Sequence, residues 1–166
     1  MTLQDWGALG EMVGGAAIIV SLLYVGLQIR HSTNATRSAT SQAFSAQYSE
    51  IMLRLTSIEF SAVVWKALPG VSNLKDQEIP AFMGFMGAII RMYETFYFEN
   101  LEGRFDSKTF VSWTTQLIDL FGNQGARDYW KLRKHNFSPD FVAYVEQEVA
   151  KSTPSRMYPD NAGQRD

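Results

Sequence analysis

The longest uncharged stretch of the chain lies near its N-terminus. Residues 12–29 read MVGGAAIIVSLLYVGLQI and contain no Asp, Glu, Lys or Arg. As an α-helix this stretch would extend about 27 Å, close to the roughly 30 Å hydrocarbon core of a bilayer. Trp6 precedes it, where an interfacial aromatic side chain would anchor a span. The pattern predicts a transmembrane helix within an N-terminal segment of residues 1–30.

The flanking charges favour a retained span over a secretory signal peptide. A signal peptide begins with a basic region and ends at a small-residue cleavage site. Here Asp5 and Glu11 come before the apolar stretch, Arg30 and Arg37 come after it, and no such cleavage site follows. Because basic residues favour the cytoplasmic side, we expect a single-pass protein with its N-terminus outside and its C-terminal domain in the cytoplasm.

One side of the predicted span carries small and polar residues instead of bulky aliphatic ones. Membrane helices associate through close backbone approach and interhelical hydrogen bonds, which such residues permit. The pattern predicts either self-association or docking to a partner transmembrane subunit. Six residues at steps of three and four form this small-residue face: Gly10, Gly14, Ala17, Ser21, Tyr24 and Gln28.

Glu11 places a carboxylate at the edge of the predicted span. Ionisable residues at a membrane can serve as proton or cation sites, so Glu11 is a candidate pore or proton site. Its simpler interpretation is an interfacial charge near a helix N-terminus, where negative charge is favourable.

The remainder of the chain has the apolar periodicity of helices. Residues 31–43 are rich in Ser, Thr and Asn, which predicts either a frayed linker or a polar helical stalk. Residues 44–151 form the predicted cytoplasmic domain. Apolar residues recur at a helical period from Phe44 to Ile58, a fresh helix is predicted from the Ser57 cap to Leu68, and later helices are predicted near residues 76–102, 106–121, 124–134 and 139–151. Residues 152–166 contain Pro154 and Pro159 and are predicted to be a loose tail.

The boundaries of these helices follow from capping residues. Ser57 is the expected N-cap of the second body helix, and Ser138 with Pro139 opens the last one. Residues 79–90 are uncharged but too short to cross a bilayer, which predicts a central core helix. No alternating strand pattern persists. We therefore expect an all-α protein, with one N-terminal transmembrane helix followed by an irregular bundle of four or five helices.

Composition narrows the function classes. The formal net charge of −2 lacks the basic footprint of a nucleic-acid-binding protein. There is no Cys and there are only two His, so we expect no metal site. The sequence contains no Gly-rich phosphate loop, GxSxG or HExxH motif, and we therefore predict no cofactor and assign no catalytic residue. Glu94 with Arg91 is better explained as an i,i+3 ion pair.

A basic face stands out in the predicted helix near residues 124–134. Arg127, Lys131 and Lys134 follow one another at steps of four and three, so their side chains share one side of the helix. Next to a membrane, such a face can contact anionic headgroups, while a simply solvated face is the alternative.

The chain resembles a family of uncharacterised bacterial single-span membrane proteins with a small helical cytoplasmic domain. The similarity covers most of residues 5–150 and is strongest at WGALGEMVG (residues 6–14) and SLLYVGLQIR (residues 21–30), with FSAVVWKAL (60–68) and RMYETFY (91–97) in the body. Ser32 departs from the Asn common in the family at that position. The resemblance implies a bacterial inner-membrane protein with membrane lipid around its span, and it implies no activity.

Three functions remain open on this basis. The first is a non-enzymatic membrane-anchored protein that self-associates, or docks as an accessory subunit to a larger membrane complex, through its small-residue face. The second is a small homo-oligomeric pore, in which Ser21, Gln28 and Glu11 would line a path. The third is a membrane-tethered helical enzyme that uses an acid such as Glu94 in a pocket.

Overall fold

Six α-helices make up the structure, a computed structural model that describes residues 3–153 and their side chains except those of residues 3–11, 13 and 107. Short 3₁₀ turns lie at Arg54–Thr56, Val71–Asn73 and Lys134–Asn136, and the described residues contain no β-strand. The all-helical prediction is confirmed. The helices are α1 (Leu3–Leu53), α2 (Ile58–Ala67), α3 (Ile79–Leu101), α4 (Ser107–Leu120), α5 (Gln124–Arg133) and α6 (Pro139–Lys151).

Residue contacts divide the chain into two compact units, residues 1–39 and residues 40–166. The boundary between them falls within α1, which has no break at the Ser- and Thr-rich segment of residues 31–43. There the hydroxyls of Thr33 and Thr36 each donate to a carbonyl oxygen four residues earlier, at 3.0 Å. The helix thus satisfies these side chains internally. The predicted loose tail begins at residue 152, and its residues from 154 onward lie outside the part of the chain that the structure describes.

The second unit, which we call the body, is built around α3. This helix of 23 residues buries side chains on most of its circumference, and it contacts α2, α4 and α5. The prediction of a central core helix is confirmed. Its buried residues are Phe82, Phe85, Met86, Ile89, Ile90, Met92, Tyr93, Glu94 and Phe96.

The C-terminal part of α1, from Thr40 onward, contributes to this core. The Phe44 ring lies 4.3 Å from the Phe96 ring and 4.6 Å from the Trp113 ring, measured between centroids. Tyr48 meets Trp113 edge-on at 4.9 Å. Such aromatic pairs add to the hydrophobic effect of burial, so this part of α1 is an integral helix of the body.

The predicted N-caps are present. Ser57 accepts a hydrogen bond from the Phe60 amide and Ser138 accepts one from the Phe141 amide, both at 3.4 Å. At α4, the Asp106 carboxylate accepts from two backbone amides, which lowers its pKa. These caps set the first turns of α2, α4 and α6.

The start of α3 differs from the prediction by three residues. The helix begins at Ile79 instead of Asp76, because residues 76–78 form a turn. The Glu78 carboxylate accepts from the Lys75 amide at 2.9 Å, and the Glu78 amide donates to the Lys75 carbonyl at 2.8 Å. Pro80 then lies in the first turn, where its missing N–H is tolerated.

Helices α2 and α5 meet at Gly125. The Gly125 amide donates to the Leu68 carbonyl at 3.1 Å, and a Cβ atom added at this glycine would lie 2.0 Å from the Ala67 carbonyl oxygen. Only a residue without a side chain permits this approach of backbone to backbone.

We therefore predict that Gly125→Ala destabilises the body by about 1–3 kcal/mol or more, because the backbone of α2 has to move away. The measurement is thermal or chemical unfolding of the full chain in mild detergent. The matched control is Gly84→Ala on the exposed side of α3, where no atom lies within 4 Å of the added methyl group. It should stabilise by about 0.5–1 kcal/mol. Equal stability of the two variants would contradict the close contact at Gly125.

Candidate functional site

The small-residue face of α1 is fully exposed over its described part. The described members Gly14, Ala17, Ser21, Tyr24 and Gln28 are all exposed, and a Cβ added at Gly14 would meet no atom within 4 Å outside its own helix backbone. The side chains of Gly10 and Glu11 lie outside those that the structure describes. The described part of the face is therefore open to a partner.

The polar groups on this face differ in what they can offer. The Ser21 hydroxyl donates to the Ala17 carbonyl of its own helix at 2.8 Å, so it retains only acceptor capacity. The Tyr24 hydroxyl and the Gln28 amide make no hydrogen bond to another described residue. Donors to a neighbouring helix would come from these two side chains.

Large apolar side chains cover the rest of α1 between residues 12 and 29. They range from 47% exposed at Val25 to 76% exposed at Met12. A part of α1 is long and apolar enough to cross a bilayer, with a mean hydropathy of 1.2 and no burial in its most apolar 18-residue window. Length and composition alone support that statement.

Three of the basic residues of α5 and its C-terminal turn lie along one groove. Arg127, Lys131 and Lys134 all line a depression of about 360 Å³ between α5 and α6, which we call the α5–α6 groove. Lys134 forms an ion pair with Glu146 of α6 at 2.7 Å, which lowers the pKa of that carboxyl group. The sequence placed the three cations on one face, and the structure adds the opposing wall from α6.

A second, larger cavity of about 420 Å³ lies inside the body. Its lining is mostly apolar, with Met52, Phe85 and Ile89 among the contributors. Its polar lining comes from two residues of α4, from the residue that precedes α5 and from two tyrosines: Gln116, Asp119, Asn123, Tyr48 and Tyr93. Cavities of this size and character accommodate small apolar molecules that also accept or donate a few hydrogen bonds.

Tyr93 shows what this cavity offers chemically. Burial raises the pKa of the Tyr93 hydroxyl far above its ordinary value, and the neighbouring Tyr48 raises it further. The phenol is therefore neutral at any physiological pH, and it acts as a hydrogen-bond donor or acceptor instead of a base.

Glu94 is buried but does not line this cavity. One carboxylate oxygen accepts from the guanidinium of Arg91, which confirms the predicted i,i+3 pair, and the other accepts from the Ser138 amide at 2.7 Å. Arg91 also stacks over the Phe137 ring at 4.6 Å. Glu94 thus joins α3 to the N-terminus of α6, and this observation gives it a structural role in place of a catalytic one.

Sequence reasoning missed two features of these sites. The body cavity arises from five helices, α1 to α5, that meet only in the fold, and no local pattern indicates it. The indole N–H of Trp130 is buried beside the α5–α6 groove, where it lies next to the Glu146 carboxylate and contributes to the lowered pKa of that group without a well-aligned hydrogen bond. A Trp on the inner side of a helix is usually a core residue, so the sequence carried no signal for this donor.

Within the described residues no group of three His, Asp or Glu side chains is arranged to hold a metal ion. Comparison with known proteins yields no matching family, no similar curated protein and no similar solved structure.

The role of Glu94 leads to a stability prediction. Glu94→Ala should lower the free energy of unfolding by about 2 kcal/mol, because the partly buried Ser138 amide loses its acceptor and Arg91 keeps only the Asn136 carbonyl as a hydrogen-bond partner. Glu94→Gln should cost clearly less, since the amide oxygen can still accept from Ser138. Unfolding of the full chain in mild detergent measures both variants. No destabilisation by the alanine variant would show that the α3–α6 link is unimportant.

Proposed function

We propose that this protein is a non-enzymatic, membrane-anchored helical protein that associates through its span. In this proposal residues 12–29 cross the membrane, and the small-residue face packs against a second copy of the chain or against a partner span. The body then presents its surfaces on the cytoplasmic side of a bacterial inner membrane.

The observation that carries the proposal is the unburied apolar surface of α1. Nine aliphatic or Met side chains between residues 12 and 29 are exposed. At about 1.5–3 kcal/mol for each side chain removed from water, their transfer into an apolar phase releases on the order of 15 kcal/mol or more. That equals the whole folding stability of a typical domain, so water is an unfavourable environment for this helix.

The distribution of these side chains supports lipid instead of a soluble partner. At 100° per residue, bulky apolar side chains point in every direction except the sector of the small-residue face. One soluble helix would cover only one stripe, whereas lipid surrounds the whole helix. The uncovered sector is then the natural contact for another helix, because small residues allow close packing there.

The proposed topology has its support in the charges. Asp5 and Glu11 precede the span, and Arg30 and Arg37 follow it. Because basic residues next to a span are retained on the cytoplasmic side, this distribution of charges would place the body in the cytoplasm. The resemblance to bacterial single-span proteins is in keeping with this arrangement.

Association through the small-residue face can be tested with a double variant. Gly14→Ile with Ala17→Ile adds bulk to the face and should abolish the oligomer, or release the partner chains, because backbone approach is blocked. The measurement is the native mass of the protein extracted from its own membranes in mild detergent, with every co-purifying chain identified.

The matched control changes the same residue types to the same residue. Gly15→Ile with Ala16→Ile places the added side chains at least about 100° around the helix from Gly14 and Ala17. This control should retain the native mass. Loss of association in both double variants, or in neither, would refute the small-residue face as the contact.

Topology is tested independently. A reporter that is active only in the cytoplasm should be active when fused after residue 153 and inactive when fused before Trp6. Exchanging Arg30 and Arg37 for Gln should weaken this preference, because these bases set the orientation. A C-terminal reporter on the outside would overturn the proposed topology.

A further inference from the structure

The α5–α6 groove combines a cationic rim with an apolar floor. Arg127, Lys131 and Lys134 line the rim, whereas Phe121, Val145 and Val149 are among the side chains of the floor. A basic face that contacts only water is not expected to contain an apolar groove between its cations. This combination is complementary to a molecule that carries an anionic group next to a hydrocarbon chain.

Hydrogen-bond donors on the rim remain available. Lys131 is exposed and forms no ion pair within the described part of the chain. Arg127 uses three of its five N–H groups, donating to the Phe121 carbonyl and to the Gln124 side chain. Lys134 forms an ion pair with Glu146, which neutralises part of the charge of the groove. One carboxylate against three cations leaves an excess of positive charge.

Trp130 forms a fixed wall of the same groove. Its side chain lines the groove and is 8% exposed, and its buried indole N–H lies beside the Glu146 carboxylate, whose pKa is lowered by Lys134 and by this N–H. The ring cannot easily turn away, because it stacks on Phe137 and meets Phe121 edge-on, each at 5.6 Å. Trp130 therefore gives the groove a rigid side, and the donors open to a ligand are those of Lys131 and Arg127.

We propose that the α5–α6 groove binds an anionic phospholipid of the membrane that holds α1. The phosphate oxygens accept from Lys131 and from the free N–H groups of Arg127, and the start of an acyl chain covers the apolar floor. This inference rests on the proposed membrane anchoring, which supplies the lipid. A free phosphate fits less well, because it would leave the floor in contact with water.

Native mass spectrometry of the full chain in a neutral detergent tests the groove directly. The probes are phosphatidylglycerol and phosphatidylcholine with identical acyl chains, added over a range of concentrations. Phosphatidylglycerol should bind more tightly. Lys131→Gln should weaken that binding about five-fold, the equivalent of roughly 1 kcal/mol for one basic residue at an anionic surface.

Two further variants act in opposite directions. Glu146→Gln removes the competing carboxylate next to Lys134 and should strengthen phosphatidylglycerol binding several-fold. Arg127→Gln removes the guanidinium that lines the groove together with Lys131, and it should weaken phosphatidylglycerol binding. The matched control is Lys108→Gln, since Lys108 is exposed on α4 outside the groove, and it should leave the affinity unchanged.

Several results would overturn the inference. Equal losses in the Lys131 and Lys108 variants would indicate general charge attraction, and weaker binding after Glu146→Gln would contradict the role of that carboxylate. Competition by inorganic phosphate at the same concentration as lipid would assign the groove to a free anion.

Failure of the proposed function is a separate outcome. If alkaline washing removes the full chain from its membranes while the groove variants behave as stated, only the membrane anchoring is wrong. If the chain resists washing but the groove variants do not differ from the control, only the lipid site is wrong.

Discussion

Burial of α3 is the constraint on which the body depends. Side chains that point in opposite directions from this helix, such as Ile90 and Met92, are both completely inaccessible to solvent. A helix that is apolar on most of its surface is stable in water only when other helices surround it. The short helices α2, α4 and α5 and the last part of α1 provide that cover, and their mutual spacing leaves the body cavity of about 420 Å³.

The apolar part of α1 in the first unit also requires cover from water. Residues 12–29 of α1 are also apolar around most of the circumference, yet the large apolar side chains described there are 47–76% exposed. The difference lies in the surroundings of these side chains, none of which is buried. Lipid would cover the bulky side chains, and a second span would cover the sector of small residues. The proposed anchoring and association are thus two consequences of one uncovered surface.

Polar contacts in the body serve mainly to join its helices. Glu94 connects α3 with the first turn of α6, and Arg91 extends this connection to Phe137, whose ring stacks on Trp130. The same packing holds the Trp130 indole against the α5–α6 groove. The proposed lipid site is therefore built on residues whose positions are set by the core, which favours a preformed site over an adaptable basic surface.

The sequence by itself determined the helical class, most helix boundaries and the residues that share one helix face. These depend on local effects: apolar periodicity, caps such as Ser57 and Ser138, and the turn residues between helices. The start of α3 differed because the Glu78 side chain closes a turn that propensity does not reveal. Only the tertiary structure decided what each face meets. It placed α6 opposite the basic residues of α5, directed Glu94 to Ser138 and buried the Trp130 N–H, because such contacts join residues far apart in sequence.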